Sequence, residues 1–266
     1  MRRSTAVAGA FAAGLMILFT GPAAQAAATD TVYVPEDFVT SLSQTRATGH
    51  YEVVGTGLRV WTESNKSTDK VAEYVATTTP LAGVGSPRLN VTTTAGTIAP
   101  GFQLVVDLDG NGTKDGILVG EPTAPGYEDN WWLASSTLPF QRLAPHTGGG
   151  FGSPYYGTLA EWTAVFDGDT DVNGDGVVDA QDDITADGVD DKAAVVQAFG
   201  FSLGSGVYGD HTITSMDFAG TRYTFAEHVR LSTKNQCKNG GWATSTLPEF
   251  RNQGECVASF AKAAER

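Results

Sequence analysis

Twelve residues in the middle of the chain read Asp171-Val172-Asn173-Gly174-Asp175-Gly176-Val177-Val178-Asp179-Ala180-Gln181-Asp182. Side-chain oxygens fall at positions 1, 3, 5, 9 and 12 of this stretch, and a glycine falls at 6. That spacing suits a hard divalent cation. Calcium takes roughly six to eight oxygens at about 2.3–2.6 Å, and one short turn can supply them. Asp171, Asn173 and Asp175 would each give a side-chain oxygen and Val177 its backbone carbonyl. Asp179 would bind directly or through water, and Asp182 would close the far side. Gly176 permits the sharp turn, which a merely solvated acidic loop does not need. Ten aspartates lie between positions 167 and 191 with no Lys or Arg among them. Without a cation they repel one another, so metal binding and local folding are expected to be coupled.

The pattern is that of an EF-hand or dockerin loop. Position 12 carries the shorter Asp182 rather than the bidentate Glu of an EF-hand, which shifts the resemblance towards dockerins. A calcium sensor needs paired loops flanked by long helices, and a full dockerin needs a second repeat. Asp187-Gly188-Val189-Asp190 is only a remnant of one. The expected role of calcium is therefore structural, without cohesin docking. A second, weaker loop offers Asp107, Asp109, Asn111, Thr113 and Asp115, but its position 12 is Leu118. Its apolar flanks suit a cation pinning a hairpin between two strands.

Other constellations were weighed for catalysis. Gly200-Phe201-Ser202-Leu203-Gly204 matches the nucleophile elbow of α/β-hydrolases. An elbow needs a helix after the serine, and Ser205-Gly206-Val207-Tyr208-Gly209 breaks one, so Ser202 is expected on a strand. Glycoside hydrolysis would use two carboxylates. Glu52, Glu63, Glu73, Glu121, Glu128 and Glu161 are candidates outside the calcium loops, with Glu63 and Glu121 at the ends of apolar strands. No spacing singles out a pair. Tyr127, Trp131, Tyr155 and Tyr156 lie in turn-rich stretches and could stack on sugar rings. In a strand, Trp131 and Trp132 would point to opposite faces, with Trp132 the one expected in the core.

These groups must be positioned by strands. Short apolar runs alternate with Gly, Pro, Asn and Thr from Val32 to about Phe225, and the chain holds 32 glycines. Gly49–Thr62 reads as two strands about the Gly55-Thr56-Gly57 turn. Arg88–Thr94, Gln103–Asp107, Gly116–Gly120, Trp131–Ala134, Ala198–Leu203, Thr212–Phe218 and Thr221–Phe225 continue the series. Helical spacing is confined to Thr158–Phe166, capped by Thr158, and Asp191–Phe199. The expectation is a mainly β, jelly-roll-like antiparallel sandwich over residues 27–226, with 167–191 as an inserted acidic loop.

The compartment follows from the ends. Met1-Arg2-Arg3, an apolar run from Ala6 to Phe19 and Ala24-Gln25-Ala26 read as a signal peptide cleaved after Ala26. No later run is long enough to span a bilayer, so no membrane span is expected. The formal net charge is −13, and the leader carries two arginines and no acid, so the exported part is more acidic still. That excludes nucleic acid and anionic membranes as natural partners. Cys237 and Cys256 are the two cysteines of an exported chain, and their disulfide would tie residues 227–266 into an appendage.

That appendage, with Cys237-Lys238-Asn239-Gly240-Gly241-Trp242 and Phe250-Arg251-Asn252-Gln253-Gly254-Glu255-Cys256, resembles a short C-terminal motif of exported proteins from high-GC Gram-positive bacteria. Residues 57–63, 67–74, 104–122, 130–133 and 200–207 resemble an uncharacterised exported β domain of the same bacteria, and 213–225 resembles the closing strands of lectin-like jelly rolls. The resemblance implies a jelly-roll fold and glycan binding, with the calcium loop inserted between the TLAEW helix and the following strand. The functional expectation is a secreted, non-catalytic module that binds polysaccharide or cell-wall glycan with Ca2+ in support. The alternatives are a secreted carbohydrate-active enzyme on the same fold and a structural cell-surface protein.

Overall fold

A computed structural model describes residues 27–108, 110–149, 152–165 and 194–263. The expected first calcium loop, 171–182, Asp109 of the second and the expected signal peptide, 1–26, lie outside these residues. The strands are β1 (Ala28–Tyr33), β2 (Gly49–Val54), β3 (Gly57–Thr62), β4 (Lys70–Pro80), β5 (Arg88–Ala95), β6 (Gly101–Asp107) and β7 (Gly116–Gly120). They continue as β8 (Asn130–Ala134), β9 (His146–Thr147), β10 (Tyr155–Thr158), β11 (Val195–Gly204), β12 (Asp210–Phe218) and β13 (Thr221–Ala226). Among the described residues there are three short α-helices, α1 (Leu138–Arg142), α2 (Leu159–Val165) and α3 (Gln253–Ala263).

The strands form two sheets. One runs β1-β13-β12-β3-β2 with β5 on the other side of β12, and the second runs β4-β11-β6-β7-β8-β10-β9. Strands β3, β12 and β5 thus oppose β4, β11, β6 and β7, which is the two-sheet weave of a jelly roll. The departure is β8, which stays beside β7 and extends the second sheet outwards. All pairings are antiparallel except β1 with β13, which run parallel. The chain crosses between the sheets from β3 to β4, from β4 to β5, from β5 to β6 and from β11 to β12.

Strand composition explains the layers. Between the sheets lie Leu58, Val60, Leu104, Leu118, Phe199, Phe201, Ile213 and Phe225, each at most 1 % exposed. Phe102, Phe199 and Phe218 stack through this core, with Phe199 and Phe218 centroids 4.2 Å apart. The seven-stranded sheet also buries its outer face, where Tyr74, Val105, Ile117, Val119 and Ala198 form a second cluster with Leu42 and Trp132. That double burial is why β6 and β7 are buried at every residue and apolar apart from Gln103 and Asp107. Residues 38–46 run along the edge of β4, with Gln44 N donating to Ala72 O and Arg46 N to Lys70 O. This segment covers an otherwise open strand edge.

Two local expectations change. The stretch 191–199 suggested a helix, but Val195–Phe199 begins β11, where it pairs with both β4 and β6. Burial on both sides of a central strand outweighs its weak helical spacing. The two tryptophans of β8 alternate, yet with the opposite parity. Trp131 enters the main core at 8 % exposure, and Trp132 turns to the outer face. Helix α2 starts as Thr158 suggests. Thr158 Oγ1 accepts from Glu161 N at 3.3 Å while Glu161 Oε2 accepts from Thr158 N at 2.8 Å, a reciprocal cap.

Cys237 and Cys256 are bonded, with both sulfurs buried. The residues leading into the segment they close rest on the start of the sandwich, where His228 stacks on Tyr33 at 4.0 Å and Arg230 pairs with Glu36 at 3.0 Å. No helix among the described residues is long and apolar enough to cross a membrane.

Candidate functional site

The sheets separate beside β5. That strand has a partner only in β12, while opposite it β8 and β10 carry the second sheet past the jelly-roll frame. The gap is a cavity of about 640 Å³, bounded by β5, the start of β6, the β7–β8 connection and the start of α2. This falls within the roughly 300–1,000 Å³ range of small-molecule sites. Leu89 and Val91 form one apolar wall, and Phe102, Trp131 and Leu159 the other. Thr93, Thr123, Glu128, Asp129 and Thr158 bring polar groups to it.

Local geometry holds the aromatic wall in place. The Trp131 ring lies against Gly120, where a Cβ would come within 2.9 Å of the indole, so only glycine fits. The Trp131 carbonyl accepts the Trp162 indole N–H at 2.9 Å, which ties α2 to β8. The loop over the cavity is a chain of turns. Ala124 N donates to Glu121 O, Tyr127 N to Ala124 O, and Asn130 N to Tyr127 O. Buried Ala124 anchors the first turn, and Glu128 adopts a positive φ of 49°, a conformation that L residues rarely take.

The charge at the mouth is acidic. Arg88 is committed to Asp217 at 2.7 Å, and Arg222 holds the other oxygen of that carboxylate at 2.9 Å. These bonds, the Arg222 contact foremost, hold Asp217 down to about 2. Among the described residues neither Glu128 nor Asp129 has an ion-pair partner, so the mouth favours neutral or cationic ligands over polyanions.

Trp131 is the one expected sugar-contact residue that lines the cavity. Tyr127 belongs to the loop above it, Tyr155 packs against the main core, and Tyr156 stands on the far side of the sheet beside His146, 5.4 Å between centroids. The four do not converge. Ser202 lies inside β11 at 3 % exposure, so no nucleophile elbow exists. Of the candidate carboxylates, Glu52 pairs with Arg59, Glu63 with His50 and Glu161 with His146. Glu73 accepts from Ser43 and Thr45. Glu128 faces the cleft, and Glu121 the opposite side of the sheet.

The second expected calcium loop falls on the β6–β7 hairpin. Buried Asp107 accepts from Gly110 N at 3.0 Å, Gly112 N at 2.8 Å and the Gln197 amide at 2.8 Å. Asp115 accepts from Leu108 N at 2.9 Å, and Asn111 Oδ1 from Thr113 N at 2.7 Å. Carboxylate and amide oxygens of this kind are the donors that calcium takes. Among the described residues no group of three or more His, Cys, Asp or Glu side chains is arranged to hold a metal.

Comparison with protein-family models, with curated proteins and with solved structures returned no match.

Proposed function

We propose that the protein is a secreted, non-catalytic module that binds neutral polysaccharide or cell-wall glycan in the inter-sheet cleft. The carrying observation is the cleft itself, a cavity of about 640 Å³ with Trp131 and Phe102 on one wall and polar groups from three elements at its mouth. Sugar rings bury their C–H faces on aromatic surfaces, while hydroxyls need donors and acceptors at the rim. Ca2+ would serve structurally, held by Asp171, Asn173, Asp175, Val177, Asp179 and Asp182, and more weakly by Asp107, Asp109, Asn111, Thr113 and Asp115 of the hairpin. The signal peptide supports export to the medium or the cell surface.

One observation favours the enzyme reading. Glu128 and Asp129 stand side by side at the cleft. Both are exposed on one turn, however, so no difference in environment separates an acid from a base. The test is depletion of the mature protein from solution by insoluble polysaccharides and purified cell walls, with calcium and with chelator, while reducing sugar is followed. Binding without sugar release is the expected result. Release of reducing sugar would move the enzyme reading first, and neither binding nor release would leave the structural role.

A further inference from the structure

Among the described residues, one sheet edge is left open in a way the others are not. The edge of β4 is covered by residues 38–46, and β9 has only two residues. Strand β2 carries His50 and Glu52, which pair with Glu63 and Arg59. In β1 the Thr31 and Tyr33 N–H groups donate to the carboxylates of Asp30 and Asp37, each at 2.7 Å. Strand β5 has none of these devices. It is eight residues long, carries no charge from Leu89 to Ala95, and exposes Thr92, Thr93 and Thr94. Among the described residues it pairs only with β12. In a strand with one neighbour, every second residue turns its N–H and C=O outwards, and native proteins cover, charge or shorten such an edge.

The topology explains why this edge is open. A jelly roll of eight strands divides them equally between two sheets. Within that frame β4, β11, β6 and β7 form one set, and β3, β12 and β5 the other, one strand short because β8 stays with β7. The cleft lies where a further strand beside β5 would run. Alternate side chains of such a strand would enter between Leu89 and Val91 on one wall and Phe102, Trp131 and Leu159 on the other. Charge at the rim selects the occupant. Glu128 and Asp129 line the cleft with no ion-pair partner among the described residues. The whole chain carries a net charge of −13, so a second copy would meet like charge there.

We propose that the open edge of β5 docks an extended basic peptide of a partner protein, which adds a strand to the six-stranded sheet and places alternate apolar side chains in the cleft. Main-chain hydrogen bonds to β5 hold the peptide, and the cleft selects its inward side chains. Lysine or arginine between the apolar positions complements Glu128 and Asp129. This goes beyond glycan binding but uses the same apolar walls, so peptide and glycan should compete.

The test is isothermal titration of the mature protein with the acetylated, amidated peptide Lys-Val-Lys-Val-Thr-Val-Lys-Val-Lys. Two N-methylated forms block the amides either of the valines or of the residues between them. Only one of these sets can face β5, so one form should lose affinity at least about tenfold, or about 1.4 kcal/mol, while the other binds like the parent. Hydrogen exchange of residues 88–95 should slow in the complex. Equal affinities of the two methylated forms, unchanged exchange in 88–95, or no binding of the parent peptide would each overturn the proposal. Replacing the lysines by glutamates should abolish binding, and equal binding of that analogue would overturn the choice of a basic partner. A dimer of the free protein that already shields 88–95 would assign the edge to a second copy instead. Every variable sits in the peptide, so the folding of a variant is not at issue. Capture of the protein by insoluble polysaccharide or cell walls without peptide binding would sink this proposal and leave the glycan reading standing, and peptide binding without capture would do the reverse.

Discussion

The burial of Lys70 has a measurable signature in how stability depends on pH. The ordinary ammonium value is 10.5, and the folded chain holds Lys70 at about 8, chiefly because burial disfavours the charged form. Between those values the unfolded chain binds the proton more tightly than the folded one. Stability therefore climbs as pH rises from 8 towards 10.5, and the gain is absent below 8. At about 1.36 kcal/mol per pKa unit, with a discount for the part of the side chain that water still reaches, the change comes to about 2–3 kcal/mol. Lys70→Met has no proton to release. Urea unfolding of wild type and variant at pH 7.5 and pH 10.5 isolates this contribution, because every other titrating group is common to both proteins. The stability difference should move by about 2–3 kcal/mol in favour of the wild type at the higher pH. A difference that stays constant across the two pH values would mean that Lys70 is solvated in the folded chain, and the account of its burial would fail.

Further outcomes follow from neighbouring groups. Glu121 is raised by burial, so Glu121→Gln should raise the melting temperature at pH 7, with the gain closing as pH falls through the folded-state value and on below 4.5, where the wild-type carboxyl is protonated in both states; an unchanged gain at low pH would refute this. His211 is buried against Thr93, and burial lowers it from 6.5 despite Asp210 and the Ile98 carbonyl. Stability held above that value should be lost as pH falls through the folded-state value, and thermal melts of a His211→Gln variant between pH 7.5 and 5 should be flatter than the wild type. Joint replacement Asp175→Ala with Asp182→Ala should abolish the chelator-sensitive part of the melting temperature; if that part persists, the acidic insertion is not the calcium site. Reduction of Cys237–Cys256, bonded across 19 residues, removes roughly 3 kcal/mol of local constraint and should open the appendage to limited proteolysis. Equal resistance of oxidised and reduced protein would count against that.

Legibility varied with how local the cause was. The hairpin of β2 and β3 was readable because Gly55, at a φ of 64°, and its neighbours announce the turn. The short helix α2 was readable because Thr158 and Glu161 carry their cap in four consecutive residues. The long strand β4 was missed as a strand, since Thr77, Thr78 and Thr79 look like loop and Lys70 looks like a solvated start. Its partners, β11 and the segment 38–46, are remote in sequence, and their hydrogen bonds are what make it a strand. Glu121 was visible as a carboxylate ending an apolar run, but nothing near it pointed to Lys70, 51 positions earlier. The expected aromatic group of Tyr127, Trp131, Tyr155 and Tyr156 did not converge because nearness in sequence does not fix the face a strand residue takes.

Alternation of apolar and turn residues, the aspartate spacing and the pair of cysteines were determined by the sequence alone, because each depends on neighbours within about one turn or one strand. The mainly β class and the disulfide come from that level. Which sheet each strand joins, the parity of Trp131 and Trp132, and the placing of β8 beside β7 belong to the tertiary structure. They depend on which of two apolar faces is buried against which, and in the seven-stranded sheet both faces are. The cleft exists only as a consequence of that choice.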